Sequence, residues 1–178
     1  IDTSIVMNLL EIPNMCAEAA VVKDEFKTAV EAEETMILPM STIIESGNHI
    51  AHIADGTIRR TKAMEFQTFL RKTAKDEAPW KLYGLEMRKE DLLALANDFP
   101  EYALNLEMGI GDMSIIRFYE RYKKEVPAIG HIMIWSKEKT YKPKIALWLI
   151  FRISDSLLSC YNNNEKILDI FSFRRIRS

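Results

Sequence analysis

Four acidic residues stand where a short apolar segment ends or a helical pattern begins: Asp2, Glu45, Asp112 and Glu138. Carboxylates that the fold brings together repel one another unless a divalent cation neutralises them. Hard oxygen ligands of this kind suit Mg²⁺ or Mn²⁺. The pattern therefore predicts a metal site, provided that the chain folds so that these side chains meet.

Each of these acids also has a structural alternative. Thr42 and Glu45 have the spacing of a capping box, which would tie Glu45 to the start of a helix. Asp112 could be the N-cap of its own helix. Asp2 could accept hydrogen bonds in a strand-to-helix turn, and Glu138 could be a solvated loop charge. Three acids at three successive strand ends favour the metal site over separate caps.

The elements that must position these acids follow from the apolar pattern. Residues 36–40 and 131–135 are short apolar runs that predict buried strands, and the first residue resembles the end of a third strand. Helical patterns cover 5–10, 17–34, 42–53, 58–75, 88–97, 101–107 and a last segment ending near residue 126. Ser4 is the predicted N-cap of the first helix. A loop is predicted at Pro79 and Trp80, and a break between two helices at Pro100. Strands that alternate with helices predict an α/β fold with a parallel sheet covered on both faces. Active sites of such sheets gather at the C-terminal ends of the strands, where these acids fall.

Composition limits the classes of protein that the chain can belong to. Its 178 residues are 48% hydrophobic and 28% charged, which excludes a disordered or low-complexity protein. The two cysteines, Cys16 and Cys160, lack metal-binding spacing and fit a reducing compartment. The longest apolar run, residues 145–151, is far shorter than the ~18–20 residues that span a bilayer. We therefore expect a cytoplasmic protein with no membrane contact.

Charge divides the chain into two parts. Residues 139–178 contain 8 Lys and Arg against 3 Asp and Glu, whereas residues 1–138 contain 16 against 23. A basic tail suits a polyanion or ordinary solvation, and charge alone leaves both interpretations open. We predict a catalytic domain at 1–138 and a C-terminal extension at 139–178 that packs on the domain or on a partner.

The acids lie in an ordered set of short motifs. These are Ile1-Asp2-Thr3-Ser4, Pro39-Met40-Ser41-Thr42-Ile43-Ile44-Glu45, Gly109-Ile110-Gly111-Asp112 and Ile134-Trp135-Ser136. Taken together, in this order and at these spacings, they resemble the acidic motifs of the PIN-domain ribonucleases. The resemblance covers residues 1 to about 138.

The resemblance implies a three-layer α/β/α sandwich with a central, mainly parallel sheet, and a metal-dependent nuclease that hydrolyses phosphodiester bonds. It makes Asp2, Glu45 and Asp112 the catalytic ligands of Mg²⁺ or Mn²⁺. The fourth family position is usually Asp, two residues after Ser or Thr, whereas here Glu138 stands two residues after Ser136. The family includes toxins of bacterial toxin–antitoxin pairs, so an RNA substrate, an antitoxin or other protein partner and a homo-oligomer are the expected associations.

Four residues near the acids are candidate substrate contacts. Thr3 and Ser136 could position a ligand or a phosphate by hydrogen bonding. Arg117 and Lys137 could bind the nucleic-acid backbone, which would make activity sensitive to salt.

Other interpretations stay open at this stage. A PIN-like domain that no longer cleaves could serve as an interaction module in a larger assembly. An unrelated α/β phosphatase or hydrolase could use Asp2 as its nucleophile. Glu45, His49 and His52 share one helical face and could bind zinc, although two such histidines are more often ordinary surface residues.

Overall fold

The computed structural model of the chain describes residues 1–83, 87–127 and 132–137. Its helices are α1 (Thr3–Leu9), α2 (Ala19–Glu31), α3 (Met40–Ala51), α4 (Gly56–Ala74), α5 (Lys89–Leu106) and α6 (Ile110–Glu125), and its strands are β1 (Met36–Pro39) and β2 (Trp80–Tyr83). No helix within the described ranges is long and apolar enough to cross a membrane.

The two strands form a parallel sheet, in which Met36 pairs with Trp80 and Pro39 with Tyr83. The strand predicted at 36–40 is confirmed as β1. The loop predicted at Pro79 and Trp80 is wrong, because β2 begins at Trp80. The Trp80 ring is buried against Phe69, and its indole nitrogen donates a 2.9 Å hydrogen bond to the Thr73 hydroxyl, so packing decides the conformation there.

The first two residues continue this arrangement beside β1. The Ile1 nitrogen donates to the Ile37 carbonyl at 2.8 Å, and the Asp2 nitrogen donates to the Trp135 carbonyl at 3.0 Å. Ile1 and Asp2 therefore lie between β1 and Trp135. Residues 132–137 have no strand assignment, so the strand predicted at 131–135 is not formed by its described residues, and His131 lies outside them. The described residues form a mixed α/β fold and do not show a three-layer sandwich around a central sheet.

Helix α5 passes through Pro100 without a break, whereas the sequence predicted two helices around it. Proline removes one backbone donor from the helix interior, and the helix needs other contacts to offset that loss. Leu95 and Tyr102, on either side of Pro100, are both buried, and α5 packs along α6. These contacts hold both halves of the helix in line.

The hydrophobic core lies between α1, α3, α4 and the two strands. Its best-buried members include Val6, Met7, Ile12, Leu38 and Ile50, with Phe66, Phe69 and Trp80 around them. The described residues fall almost entirely in one compact unit, made of residues 1–129 and 134–137. Residues 130–133 and 138–178 belong to a second unit, of which only 132 and 133 are described, so the predicted extension at 139–178 lies outside the described residues.

Candidate active site

Asp2 is a buried carboxylate at the start of α1, with 2% of its surface exposed. Its Oδ2 atom accepts hydrogen bonds from the Ser4 hydroxyl at 2.8 Å, the Ser136 hydroxyl at 2.7 Å and, more weakly, the Ser4 amide at 3.4 Å. Asp2 is thus the N-cap of α1, and the N-cap predicted at Ser4 is wrong. A buried carboxylate needs such donors to stay charged, and these donors also fix its orientation.

Ser4 and Ser136 join the segment 132–137 to α1. Their hydroxyl oxygens are 3.3 Å apart, and the Lys137 amide donates to the Ser4 hydroxyl at 2.9 Å. Ser136 therefore contacts the first acid directly, over a sequence separation of 134 residues.

Glu45 lies in the second turn of α3 and faces the start of α1. Its Oε2 atom accepts a 2.7 Å hydrogen bond from the Thr3 hydroxyl. The capping-box alternative is wrong, because α3 begins at Met40 with Pro39 at the N-cap and no side-chain cap. The hydroxyl of Thr42 donates instead to the Ile1 carbonyl at 3.0 Å. The Glu45 carboxylate is therefore not used to cap its own helix.

Gly111 lets Glu45 reach the first turn of α6. A Cβ atom added at Gly111 would overlap Glu45 Oε1 and lie only 2.6 Å from the carboxyl carbon. The backbone of α6 and the Glu45 carboxylate are thus in direct contact, which a residue with a side chain would prevent. In the sequence, Gly111 stood out only as part of the motif Gly109-Ile110-Gly111-Asp112, although a glycine just before a candidate ligand was a signal that close packing could be required.

Asp112 is the third residue of α6. Gly109 is the N-cap of this helix and provides no side-chain cap, so the alternative that placed Asp112 at the N-cap is wrong. The Asp112 Oδ2 atom lies 3.8 Å from the position that a Cβ of Gly109 would occupy, which folds the carboxylate back towards the helix start. An acid in the first turn interacts favourably with the helix dipole.

The fold thus brings three motifs into one junction. Asp2 contacts Ser136, Thr3 contacts Glu45, and Glu45 contacts the turn that carries Asp112. Within residues 1–83, 87–127 and 132–137, however, no three His, Cys, Asp or Glu side chains form a group that could hold a metal ion. Glu138 lies outside the described residues. The metal site made of Asp2, Glu45 and Asp112 stays a prediction.

The donor chemistry at the junction fits a hard divalent cation. Asp2 Oδ1 and Glu45 Oε1 accept no hydrogen bond from any described residue, so each carboxylate keeps one oxygen with free lone pairs. Carboxylate oxygens of this kind are the ligands that Mg²⁺ and Mn²⁺ prefer. Asp2 and Glu45 would hold the ion, and Asp112, the acid of the third motif, is the further predicted ligand.

The two cations predicted to bind substrate are engaged in ion pairs. Arg117 bridges Asp98 of α5 and Glu120 of its own helix, with 14% of its side chain exposed. Lys137 forms a 2.6 Å ion pair with Glu25 of α2 and lies 3.9 Å from Glu18. Both side chains connect elements of the fold, and these contacts compete with any contact to a nucleic-acid backbone.

The zinc alternative gains no support from α3. His52 Nδ1 lies 2.7 Å from the Asn48 carbonyl in the last turn of the helix, and both His49 and His52 are exposed. On this face, as elsewhere in the part of the chain that the structure describes, no three His, Cys, Asp or Glu side chains form a group that could bind a metal ion.

Compared with protein-family models, with curated proteins and with solved structures, the chain gives no significant match. The functional assignment therefore depends on the residues and contacts of the junction described above.

Proposed function

We propose that the chain is a PIN-like endonuclease that hydrolyses phosphodiester bonds in RNA and depends on Mg²⁺ or Mn²⁺. The observation that supports this proposal best is the junction of Thr3, Glu45 and Gly111. It joins α3 to the starts of α1 and α6, and the motifs of the three predicted acids are more than 40 residues apart along the chain. A structural cap needs none of these long-range contacts.

Each residue of the junction has a distinct task in this proposal. Asp2 and Glu45 provide the free carboxylate oxygens. The Ser4 and Ser136 hydroxyls hold the Asp2 carboxylate in one orientation, and the Thr3 hydroxyl does the same for Glu45. A bound divalent ion would polarise the scissile phosphate and lower the pKa of a bound water. The protein's own contribution is therefore to fix negative charge in a buried, prearranged setting.

Cleavage of a labelled single-stranded RNA tests the proposal. The wild-type chain should cleave with added Mg²⁺ or Mn²⁺ and lose that activity in excess EDTA. Glu45→Gln and Asp112→Asn should each lower the rate by at least about 100-fold, as loss of one charge-stabilising group does in other enzymes. Asp24→Asn, on the exposed surface of α2, is the matched control and should cleave at the wild-type rate. The same assay with DNA measures the preference for RNA.

The stability of each variant separates catalysis from folding. Asp112→Asn should unfold at the same urea concentration as the wild type or slightly higher, because the repulsion that it removes between neighbouring acids offsets the lost interaction with the helix dipole. Cleavage that persists in EDTA, or that survives both substitutions, would overturn the proposal. A large drop in stability for Asp112→Asn would instead support a purely structural role for this acid.

The arrangement of Asp2 favours one second candidate, an interaction module that no longer cleaves. Three donors converge on its Oδ2 atom, as in a structural cap, and the described acids do not form a three-ligand group. This candidate predicts neither cleavage nor any rise in melting temperature when Mg²⁺ or Mn²⁺ is added. A ligand that binds only the folded state must raise the melting temperature. A metal-dependent rise in melting temperature that Glu45→Gln abolishes would therefore exclude the interaction module.

A further inference from the structure

Helix α4 concentrates positive charge on an otherwise acidic part of the chain. Residues 56–75 contain six Lys and Arg and a single acid, Glu65. The other residues of the segment 1–138 contain 10 Lys and Arg against 22 Asp and Glu. The helix is therefore a local cationic surface that the net charge of the whole chain conceals.

The outer face of α4 carries a line of exposed side chains. Phe66, Phe69 and Thr73 are buried and define the inner face of the helix. The opposite face follows the helical spacing of four, three, four and four residues. We call it the α4 stripe, and it consists of Arg60, Met64, Gln67, Arg71 and Lys75, all exposed.

The cations of the α4 stripe are not committed to the fold. Neither Arg60 nor Arg71 has an ion pair or side-chain hydrogen bond with any described residue, and Lys75 lies 4.0 Å from Glu77, at the limit of an ion pair. Arg117 and Lys137, in contrast, contact acids of neighbouring helices. Side chains that add little to the fold and repeat one charge along a line are suited to an external polyanion.

We infer that the α4 stripe binds the phosphate backbone of single-stranded RNA outside the active site. The inference rests on the proposed function, because it assigns the stripe to the same substrate. The stripe extends from Arg60 to Lys75, a rise of about 22 Å at 1.5 Å per residue, which is long enough to contact several phosphates of one strand. The exposed Met64 and Gln67 side chains between the cations would lie beside the sugars and bases.

The chemistry of α4 favours a nucleic acid over a membrane. A helix that lies on a lipid surface needs large apolar side chains on its exposed face. Here the two phenylalanines of the helix, Phe66 and Phe69, are buried in the core. The exposed apolar side chain of the α4 stripe is Met64, which is insufficient for insertion. A linear row of cations matches a linear row of phosphates better than it matches a lipid surface.

The position of α4 makes the stripe a remote anchor. Phe66 packs close to Gly47 of α3, whereas Glu45, two residues earlier, faces α1 and α6. Glu45 and Gly47 are two residues apart and therefore lie on opposite sides of α3. With helix axes 8–10 Å apart, the stripe lies on the order of 20 Å from Glu45. Only an RNA of several nucleotides can contact both, so the anchor selects long substrates.

The salt dependence of RNA binding tests this inference. Fluorescence anisotropy with a labelled single-stranded RNA of about 20 nucleotides, measured in EDTA, gives affinity without cleavage. Loss of three phosphate contacts lowers the slope of log affinity against log salt by about 2. Between 50 and 200 mM salt, the wild type should therefore lose roughly 20-fold more affinity than the Arg60→Gln/Arg71→Gln/Lys75→Gln variant.

A matched triple variant removes the same charge elsewhere. Lys27→Gln/Lys123→Gln/Lys124→Gln changes three exposed lysines of α2 and α6, and it should keep the wild-type slope. Equal slopes for the wild type and the α4 variant would overturn the inference. Competition by polyglutamate as effective as that by RNA would also overturn it, in favour of an acidic protein partner. The binding assay is run in EDTA, which prevents metal-dependent cleavage, so it does not depend on catalysis. If the chain binds RNA through α4 but never cleaves it, the proposed function is wrong and this inference stands.

Discussion

The acidic junction and the α4 stripe use charge in opposite ways. At the junction, buried or half-buried carboxylates receive short hydrogen bonds from distant parts of the chain, as between Thr3 and Glu45 at 2.7 Å. On the stripe, Arg60 and Arg71 are exposed and form no ion pair or side-chain hydrogen bond with a described residue. One region has its charges fixed by the fold, and the other leaves them to solvent.

This difference shows where stability and function should be coupled. A buried carboxylate with several donors helps to hold the fold, so its removal should affect both stability and activity. An exposed cation contributes little to the free energy of unfolding, so its removal should affect binding alone. Measuring both unfolding and function on the same variants therefore tests whether the two regions differ in this way.

Asp2→Ala should have the largest effect on stability. It removes the cap of α1, worth about 1 kcal/mol, and leaves the Ser4 and Ser136 hydroxyls without their acceptor. Together these losses should lower the free energy of unfolding by about 2–4 kcal/mol in urea denaturation. Asp2→Asn, which keeps one carbonyl oxygen, should lose clearly less. Equal losses for the two variants would contradict the hydrogen-bond explanation.

Gly111→Ala should disturb the junction by steric overlap. The new Cβ would collide with the Glu45 carboxylate and displace it from Thr3, at a cost of about 1–3 kcal/mol, partly offset by the better helix propensity of alanine. The free energy of unfolding and the rate of RNA cleavage should both be measured, because the rate should fall by more than the loss of folded protein explains.

Gly47→Ala provides the control within α3. There the nearest atom to a new Cβ is Phe66 Cε1 at 3.5 Å, an ordinary contact. The free energy of unfolding should rise by up to about 1 kcal/mol, since alanine is favoured over glycine in a helix interior. A loss of stability as large as that of Gly111→Ala would contradict the ordinary contact between Gly47 and Phe66.

Much of the fold was predictable from periodic apolar patterns. The helical patterns at 42–53 and 58–75 correspond to α3 and α4, and the run at 36–40 corresponds to β1. The errors came where long-range packing outweighs local preference. Trp80 begins a strand after a proline because its ring is buried in the core, and Pro100 stays inside α5 because buried residues flank it.

The sequence proposes the residues of the candidate site but not their contacts. Residue type and order single out Asp2, Glu45 and Asp112, whereas local signals also allow Thr42 and Glu45 to form a capping box, which α3 does not have. The pair Thr3–Glu45 spans 42 residues, a separation that no local pattern encodes. For the same reason, the sequence could not show that the cations Arg117 and Lys137 contact acids of other helices, whereas Arg60 and Arg71 do not.

Arg117→Gln should therefore destabilise the protein more than it affects RNA binding. The guanidinium is mostly buried between Asp98 and Glu120, and its removal leaves Asp98 without this partner. For a pair that is only partly buried, we expect a loss of about 1–2 kcal/mol, below the cost of breaking a fully buried pair. Anisotropy on the folded variant should give the wild-type salt slope. A reduced slope with unchanged stability would instead assign Arg117 to the substrate.

The smallest effects on stability should come from single changes on the α4 stripe, and their signs should differ. Arg71 lies in the last turn of α4, where a cation interacts favourably with the helix dipole, so Arg71→Gln should cost about 0.3–0.5 kcal/mol. Arg60 lies near the N-terminal end, where a cation is less favourable, so Arg60→Gln should be neutral or slightly stabilising. RNA affinity at low salt should fall to a similar extent for both variants, because each removes one phosphate contact. If the cations acted only through helix stability, affinity would fall for Arg71→Gln and be unchanged or rise for Arg60→Gln. Urea denaturation and anisotropy on the same two proteins therefore separate a binding surface from a structural one.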